Sequence, residues 1–369
     1  MNLFDFYQHK IDSHALSLKK IKSNRNLITL LKLLSFGLTI WSIYLLFATS
    51  DLTFLILGAL SLSGFVLLTI WDSKIVEKIK ELEALIQCNQ TEVQYLKGDY
   101  SSLETGDQYI DPTHPYSLDL DLFGEESLFQ SINRTATHNG TTLLADWLMT
   151  PSIDKKEIEC RLEATGELSS KIDWCQKFRA VGSVYPTSAI EEHTITRWQK
   201  EGHYFQNSWL RYSVYILNTL MLISGGCALM SIMSYKVALM FFFLQLFITV
   251  LSLKKINNLH NHLGHFIKTI GNYFYLVKLI DNEHFESIQL SRIKSELFKG
   301  NNSLSAFASL KKILGSFDQR SNVLVAALLN GLFMRDIHHA IKLDKWKTRY
   351  ADNIKQWIAA VSETDALVS

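Results

Sequence analysis

Residues Leu118 to Pro151 read LDLDLFGEESLFQSINRTATHNGTTLLADWLMTP, and this stretch decides the fold. Ser127, Leu128, Phe129 and Ile132 open a short helix with apolar residues at helical spacing. Asn133-Arg134-Thr135 breaks it. Thr137 is placed to cap a second helix, whose apolar face is Leu143, Leu144, Trp147 and Leu148. Gly140 falls in the first turn of that helix, where glycine costs roughly 1 kcal/mol against alanine. The expectation is that it permits close contact with another backbone. Thr150-Pro151 stops the helix. The unit packs one helix against another, and no catalytic group is exposed by it.

Working outward, the chain is 369 residues long, enough for two or three domains and a sizeable core. Few strand-like alternations and only four prolines predict an all-α chain. The 37 basic and 36 acidic residues nearly cancel, so the chain lacks the basic excess usual in a dedicated nucleic-acid binder. Hydrophobic content is high, at 47%. Cys88, Cys160, Cys175 and Cys227 have no CxxC spacing, which fits a reducing compartment and argues against zinc.

The apolar residues are concentrated in long uncharged runs. Leu33 to Thr49 and Leu52 to Trp71 carry no charge and are separated by little more than Asp51. Tyr212 to Tyr235 and Val237 to Leu253 form a second such pair around Lys236. About 20 apolar residues cross a bilayer's hydrocarbon core, so each pair predicts a transmembrane hairpin. The alternative for the first pair is a hairpin buried in a large soluble core. A signal peptide fits poorly, because the first run starts late and a second follows at once. Lys20, Lys22, Arg25, Lys74, Lys78 and Lys80 flank the first hairpin. Arg197, Lys200, Arg211, Lys254 and Lys255 flank the second. The positive-inside rule puts these flanks in the cytosol and both tips outside, with Lys236 the one contrary charge. The expected location is the cytoplasmic (inner) membrane, multi-pass, with the soluble parts cytosolic.

The predicted organisation is a cytosolic segment over 1–26, the first hairpin over 27–72, and an amphipathic helix and linker over 73–110. A helical core begins over 111–210, the second hairpin spans 211–255, and returning helices fill 256–369. Asp154 is placed to cap a helix carrying Ile158 and Leu162. Further helices are expected over Trp174–Val181 and Ile190–Lys200. Val323 to Met334 is too short to span and reads as a buried core helix. In the last helix, Trp346, Tyr350, Ile354, Trp357 and Val361 form one apolar stripe.

The pattern SLFQ-x-INRT-x-T-x2-G-x3-LA-x-WL-x2-P, over Ser127 to Pro151, resembles the opening of the core domain of the MutS family of DNA mismatch-repair ATPases. The likeness continues through EIECRLEATGEL, Glu157 to Leu168. It returns in SETDALVS, Ser362 to Ser369, which is similar to the point where that family's lever helix rejoins the core. The residues carrying the motif are Phe129, Asn133, Arg134, Thr135, Thr137, Gly140, Trp147 and Pro151. The resemblance implies a core and lever, a homodimer switched by ATP and Mg, and action on double-stranded DNA, here beside a lipid bilayer.

No catalytic, cofactor-binding or metal-binding residue is predicted. A phosphate-cradling G-x4-GK[ST] loop is absent, and no Gly-Lys pair occurs. In the family that loop lies in a separate domain after the core. A helix with a continuing apolar stripe would otherwise end uncapped, so an ATPase domain after Ser369 is expected. Phe123-Gly124-Glu125 has the letters of the family's mismatch reader, but it lies inside the core signature and is expected to pack. His260, His262 and His265 do not share one helical face, although His262 and His265 alone could. Polar residues at a membrane boundary are the simpler account, and His338-His339 likewise read as structural. Arg134 and Thr135 could meet a partner domain, but the plainer expectation is that Asn133 and Thr137 satisfy helix ends. The alternative function is a membrane-anchored structural or adaptor protein that keeps the core and has no nucleic-acid or nucleotide activity.

Overall fold

The computed structural model describes residues 2–49, 51, 53–184, 208–230, 232–298, 303–318 and 323–369. Among them the chain is all-α, with no strand. The helix expected over Ile190–Lys200 lies outside the described residues. Two compact units are distinguished, residues 1–133 with 172–184, and residues 134–171 with 185–369.

The first unit is built on two helices, α1 (Leu3–Thr49) and α2 (Thr53–Leu96), packed along each other as an antiparallel hairpin. Both run unbroken through residues 26 and 72, so the polar N-terminal segment is part of α1. The apolar half of the hairpin is inside-out compared with a soluble helix pair. Its seam holds small and hydroxylated residues: Thr39, Ser42 and Ser61 are buried, and Gly58 approaches Ser42. Ser35 donates to the Ser61 carbonyl at 2.7 Å, and the Thr39 and Ser61 hydroxyls meet at 2.8 Å. Leu33, Leu34, Trp41, Ile56, Leu60 and Leu67 point outward and are exposed. Small residues in the seam let two backbones approach where hydrophobic burial gives no drive to associate. At the base of this half, Asp72 accepts from Arg25 at 3.0 Å and from Lys32 at 2.6 Å.

Below that ion group the packing takes the ordinary sense. Leu82, Leu85 and Cys88 of α2 form a cluster with Ala180 of α6 (Ile172–Ser183), and Leu18 and Ile21 of α1 cover it. Gln176 donates to Asn89 at 3.0 Å, and Arg179 pairs with Glu92. The loop after α2 then folds onto α3 (Leu128–Ile132). Tyr109, Phe123 and Phe129 stack with ring centroids 5.4–5.7 Å apart. Gly106, at φ 74°, sits so close under Phe129 that an added Cβ would lie 2.6 Å from the ring. Phe123 is therefore a packing residue here, with 9% of its surface exposed.

The second unit contains α4 (His138–Met149), α5 (Lys155–Ser170), α7 (Ser208–Leu229), α8 (Tyr235–Asn282) and α9 (Ile288–Phe298). It continues through α10 (Ser303–Asp318), α11 (Val323–Phe333) and α12 (Arg335–Val368). Its core forms around α12, whose Trp346, Ile354, Trp357 and Val361 are buried and whose Tyr350 is half-buried. Phe307 of α10 lies 5.3 Å from Trp357, and the Trp346 indole donates to the Ala306 carbonyl at 2.8 Å. α7 and α8 make a second hairpin with a polar seam: Gln245 reaches the Leu217 carbonyl at 2.8 Å, and Ser224 and Thr249 are buried. Leu222, Ile223, Phe243, Phe247 and Leu251 are exposed along its outside.

Leu3–Leu46, Thr53–Leu96 and Tyr235–Ser252 are long and apolar enough to cross a membrane, and the apolar stretch Tyr212–Ala228 is shorter than that standard. His260, His262 and His265 belong to α8, but their side chains lie outside those described.

Candidate functional site

The turn between α3 and α4 carries most of the motif. Ser127 caps α3 by accepting from the Gln130 N–H at 3.2 Å. Gln130 turns back to the preceding loop, donating to the carbonyls of Tyr100 and Leu103 at 3.1 and 3.2 Å. Asn133 ends α3 and reaches Glu104 at 3.5 Å. Phe129 and Asn133 thus belong to the first unit, while Arg134, Thr135, Thr137, Gly140, Trp147 and Pro151 belong to the second.

In the second unit the turn holds the last turns of α12. Thr137 caps α4, its hydroxyl accepting from the Gly140 N–H at 3.1 Å. The same hydroxyl donates to Asp365 of α12 at 2.6 Å. The Thr137 N–H reaches the Asp365 carboxylate at 2.8 Å and the Ala136 N–H at 3.0 Å. One fully buried carboxylate therefore serves three donors at a helix N-terminus, where the helix dipole also favours negative charge. The Arg134 N–H donates to the Ser369 hydroxyl, and the Thr135 and Thr141 hydroxyls meet at 2.7 Å.

Gly140 has a different reason from the one expected. A Cβ there would lie 2.2 Å from an Asp365 carboxylate oxygen. The close neighbour is a side chain on α12, not another backbone. Asp365 itself was not singled out from the sequence, though it lies in SETDALVS. One signal pointed to it, since a step of four from Val361 puts it on the buried stripe of α12.

Beside this latch a cleft of about 650 Å³ opens between α4, α5, α9 and α12. Trp147 lines it half-buried, with the Arg161 guanidinium stacked on its ring at 4.1 Å. Trp147 stands on the apolar face of α4, as its spacing predicts, but it is not buried in the core. Arg161 pairs with Glu157, and Arg292 pairs with Glu363. Gln289 also donates to Glu363, at 2.8 Å. These guanidinium charges are each met by a carboxylate. Asp154 caps α5 by accepting from the Lys156 N–H at 3.0 Å, as its position suggests. Ile158 and Leu162, however, are exposed, and α5 buries Ala164 and Leu168 instead. Pro151 follows the end of α4 and is exposed.

At the far end of α5, Glu167 accepts from the N–H groups of Glu286 and Ser287 at 3.0 and 2.8 Å, fastening the loop that enters α9. Burial pushes its carboxyl up. The Ser287 and Glu286 N–H groups and Lys171 outweigh that, so it lies below the usual carboxylate range. Lys171 bridges Glu167 and Glu283 at 3.3 and 2.6 Å. Among the described residues, no three His, Cys, Asp or Glu side chains gather as a metal site. His338 stacks edge-on with Tyr215 at 5.6 Å.

The family model described as MutS domain III matches residues 113–185. That span contains the motif turn, α3 to α6 and one wall of the cleft. No solved structure matches the chain. The described residues define an all-α protein in which residues 113–185 are similar to MutS domain III. Within the second unit, Asp365 of α12 is fastened to Ala136 and Thr137 of the matched span.

Proposed function

We propose that this chain is the core and lever of a membrane-anchored, MutS-related machine, switched by ATP and acting on DNA or a DNA-like partner. The supporting observation is that the MutS domain III match contains Thr137, the residue to which Asp365 of α12 is latched. A helix fastened at the head of the core is what a lever needs to transmit rigid-body movement. ATP and Mg would be held by an ATPase domain encoded after Ser369, or on another chain, and the working form would be a homodimer. The inside-out seams of α1–α2 and α7–α8 support anchoring in the cytoplasmic membrane.

Anchoring has its own test. Ser50→Cys and Ser234→Cys, each in a chain free of the native cysteines, are expected to react with an impermeant thiol reagent on intact cells. Thr105→Cys is expected to stay unlabelled, because the basic flanks hold that side in the cytosol. The reverse pattern would invert the orientation.

The balanced charge favours a second reading, an anchored adaptor without nucleic-acid work. Anisotropy titrations with homoduplex and mismatched DNA separate the two. The 369-residue chain in detergent is expected to bind neither ATP nor duplex tightly, because it lacks the phosphate loop and a basic excess. The product extended through the ATPase domain is expected to bind ATP and to change its DNA affinity when it does. If ATP leaves that affinity unchanged, the adaptor reading replaces the first. Sub-micromolar, mismatch-selective binding by the 369-residue chain at physiological salt would place recognition in this chain and overturn both.

A further inference from the structure

Helix α11, VLVAALLNGLF, carries no charge. It packs on α8 of the second hairpin. Gly331 lies against Phe242 so closely that an added Cβ would sit 2.2 Å from the ring. At the end of α11, the Phe333 carbonyl accepts from the Asn218 side chain of α7 at 3.0 Å. Further along, His338 meets Tyr215. These contacts give a depth scale. At 1.5 Å per residue, Asn218 lies about 9 Å along α7 from Tyr212, and Phe242 about 18 Å along α8 from Lys254. The end of α11 therefore reaches roughly the middle of the ~30 Å hydrocarbon layer that the hairpin would cross. The contact of His338 with Tyr215 brings the chain back toward the base.

The backbone of the turn at that depth is held by hydrogen bonds within the protein. Met334 is fully buried at φ 46° and ψ 42°. Its N–H donates to the Asn330 carbonyl at 3.0 Å, and its carbonyl accepts from the His338 N–H at 3.0 Å. Asn330 and Asp336 exchange two bonds: the Asn330 amide donates to the Asp336 carboxylate at 3.0 Å, and the Asp336 N–H donates to the Asn330 side-chain oxygen at 2.9 Å. With the Phe333 carbonyl taken by Asn218, these polar groups of the turn are satisfied within protein. Non-helical backbone is tolerated at membrane depth only on that condition. Of the two ionisable residues that open α12, Asp336 is buried and Arg335 is half-buried. Phe333 is exposed and continues the apolar outside of the hairpin that includes Phe243.

We infer that α11 enters the bilayer beside the second hairpin as a re-entrant half-span, turns at Met334 and leaves through the first turns of α12. Lipid acyl chains then lie against Phe333. The length agrees, since eleven helical residues rise about 16 Å, half the hydrocarbon thickness. This rests on the reading that the second hairpin crosses the membrane, and it gives the lever helix a membrane foot of its own.

The test uses the full chain, free of native cysteines and reconstituted in liposomes. Nitroxide labels are placed through Phe333→Cys, Phe243→Cys on the hairpin, and Ile288→Cys on the exposed face of α9. Collision rates are measured with oxygen, which concentrates in hydrocarbon, and with a water-soluble nickel chelate. The oxygen-to-nickel ratio is expected to be several times higher at Phe333 and Phe243 than at Ile288. A high ratio at Phe243 with a water-like ratio at Phe333 overturns the half-span and leaves the hairpin standing. Water-like ratios at both overturn the anchoring as well. Should Phe333→Cys fail to fold, Leu332→Cys reports from the adjoining position and is read in the same way.

Discussion

Asp365→Ala is expected to destabilise the second unit by about 3–5 kcal/mol, because hydrogen bonds to a charged group contribute roughly 1.5–3 kcal/mol each and are not additive. The carboxylate is fully buried, and the Ala136 N–H, Thr137 N–H and Thr137 hydroxyl all point at it. Without it, two backbone donors at the head of α4 lose the acceptor that α12 supplies. The Thr137 hydroxyl loses its acceptor too, so the cap on Gly140 weakens with the latch. Asp365→Asn is expected to lose nearly as much, since its amide group presents hydrogens to a site lined with donors. Gly140→Ala attacks the same contact from the other side, putting a methyl where the carboxylate sits. The two changes should therefore couple. In the double variant the methyl fills space that the carboxylate has vacated, and its loss should be smaller than the sum of the single losses. Thermal melts in detergent, arranged as a double-mutant cycle, measure the coupling. Strict additivity would show that Asp365 and Gly140 do not meet.

The second large effect is expected at Trp357. Its indole is 1% exposed and is packed against Phe307 at 5.3 Å and Tyr350 at 6.1 Å. Trp357→Ala should cost about 3–5 kcal/mol, the range for emptying a buried aromatic site. Trp147→Ala should cost only about 1–2 kcal/mol, since that ring is half-buried and its stacked Arg161 contributes a cation–π contact of modest size. The same melts rank the two variants. Equal losses would mean that the cleft beside α4 is closed in solution.

These two tryptophans show what a sequence can and cannot announce. Both stand at helical spacing among apolar residues, and periodicity gives each the same weight. Periodicity finds the stripe of a helix, but how deeply a neighbour covers each position depends on where other helices cross. α12 is surrounded over most of its length, so its stripe becomes core. α4 faces the cleft on one side, so Trp147 keeps one face open. Ile158 and Leu162 are exposed for the related reason that α5 turns its small residue Ala164 and its Leu168 inward.

The sequence by itself determined the features whose cause lies within a turn of helix. Ser127, Thr137 and Asp154 cap the helices they precede because each side chain reaches an N–H two or three residues on. Pro151 follows the end of α4, and the uncharged runs make the long apolar helices. The all-α class follows from the same local signals. Tertiary structure alone decided the partners of those elements. Asp365 finds Thr137 across 228 residues of chain, and no local rule relates the two positions. The tolerance for Gly140, the open face of Trp147 and the seat of α11 on Phe242 were decided in the same way. Capping and periodicity are set by covalent neighbours at fixed distances. Which surfaces meet is set by how whole helices pack, and that information is spread over the entire chain.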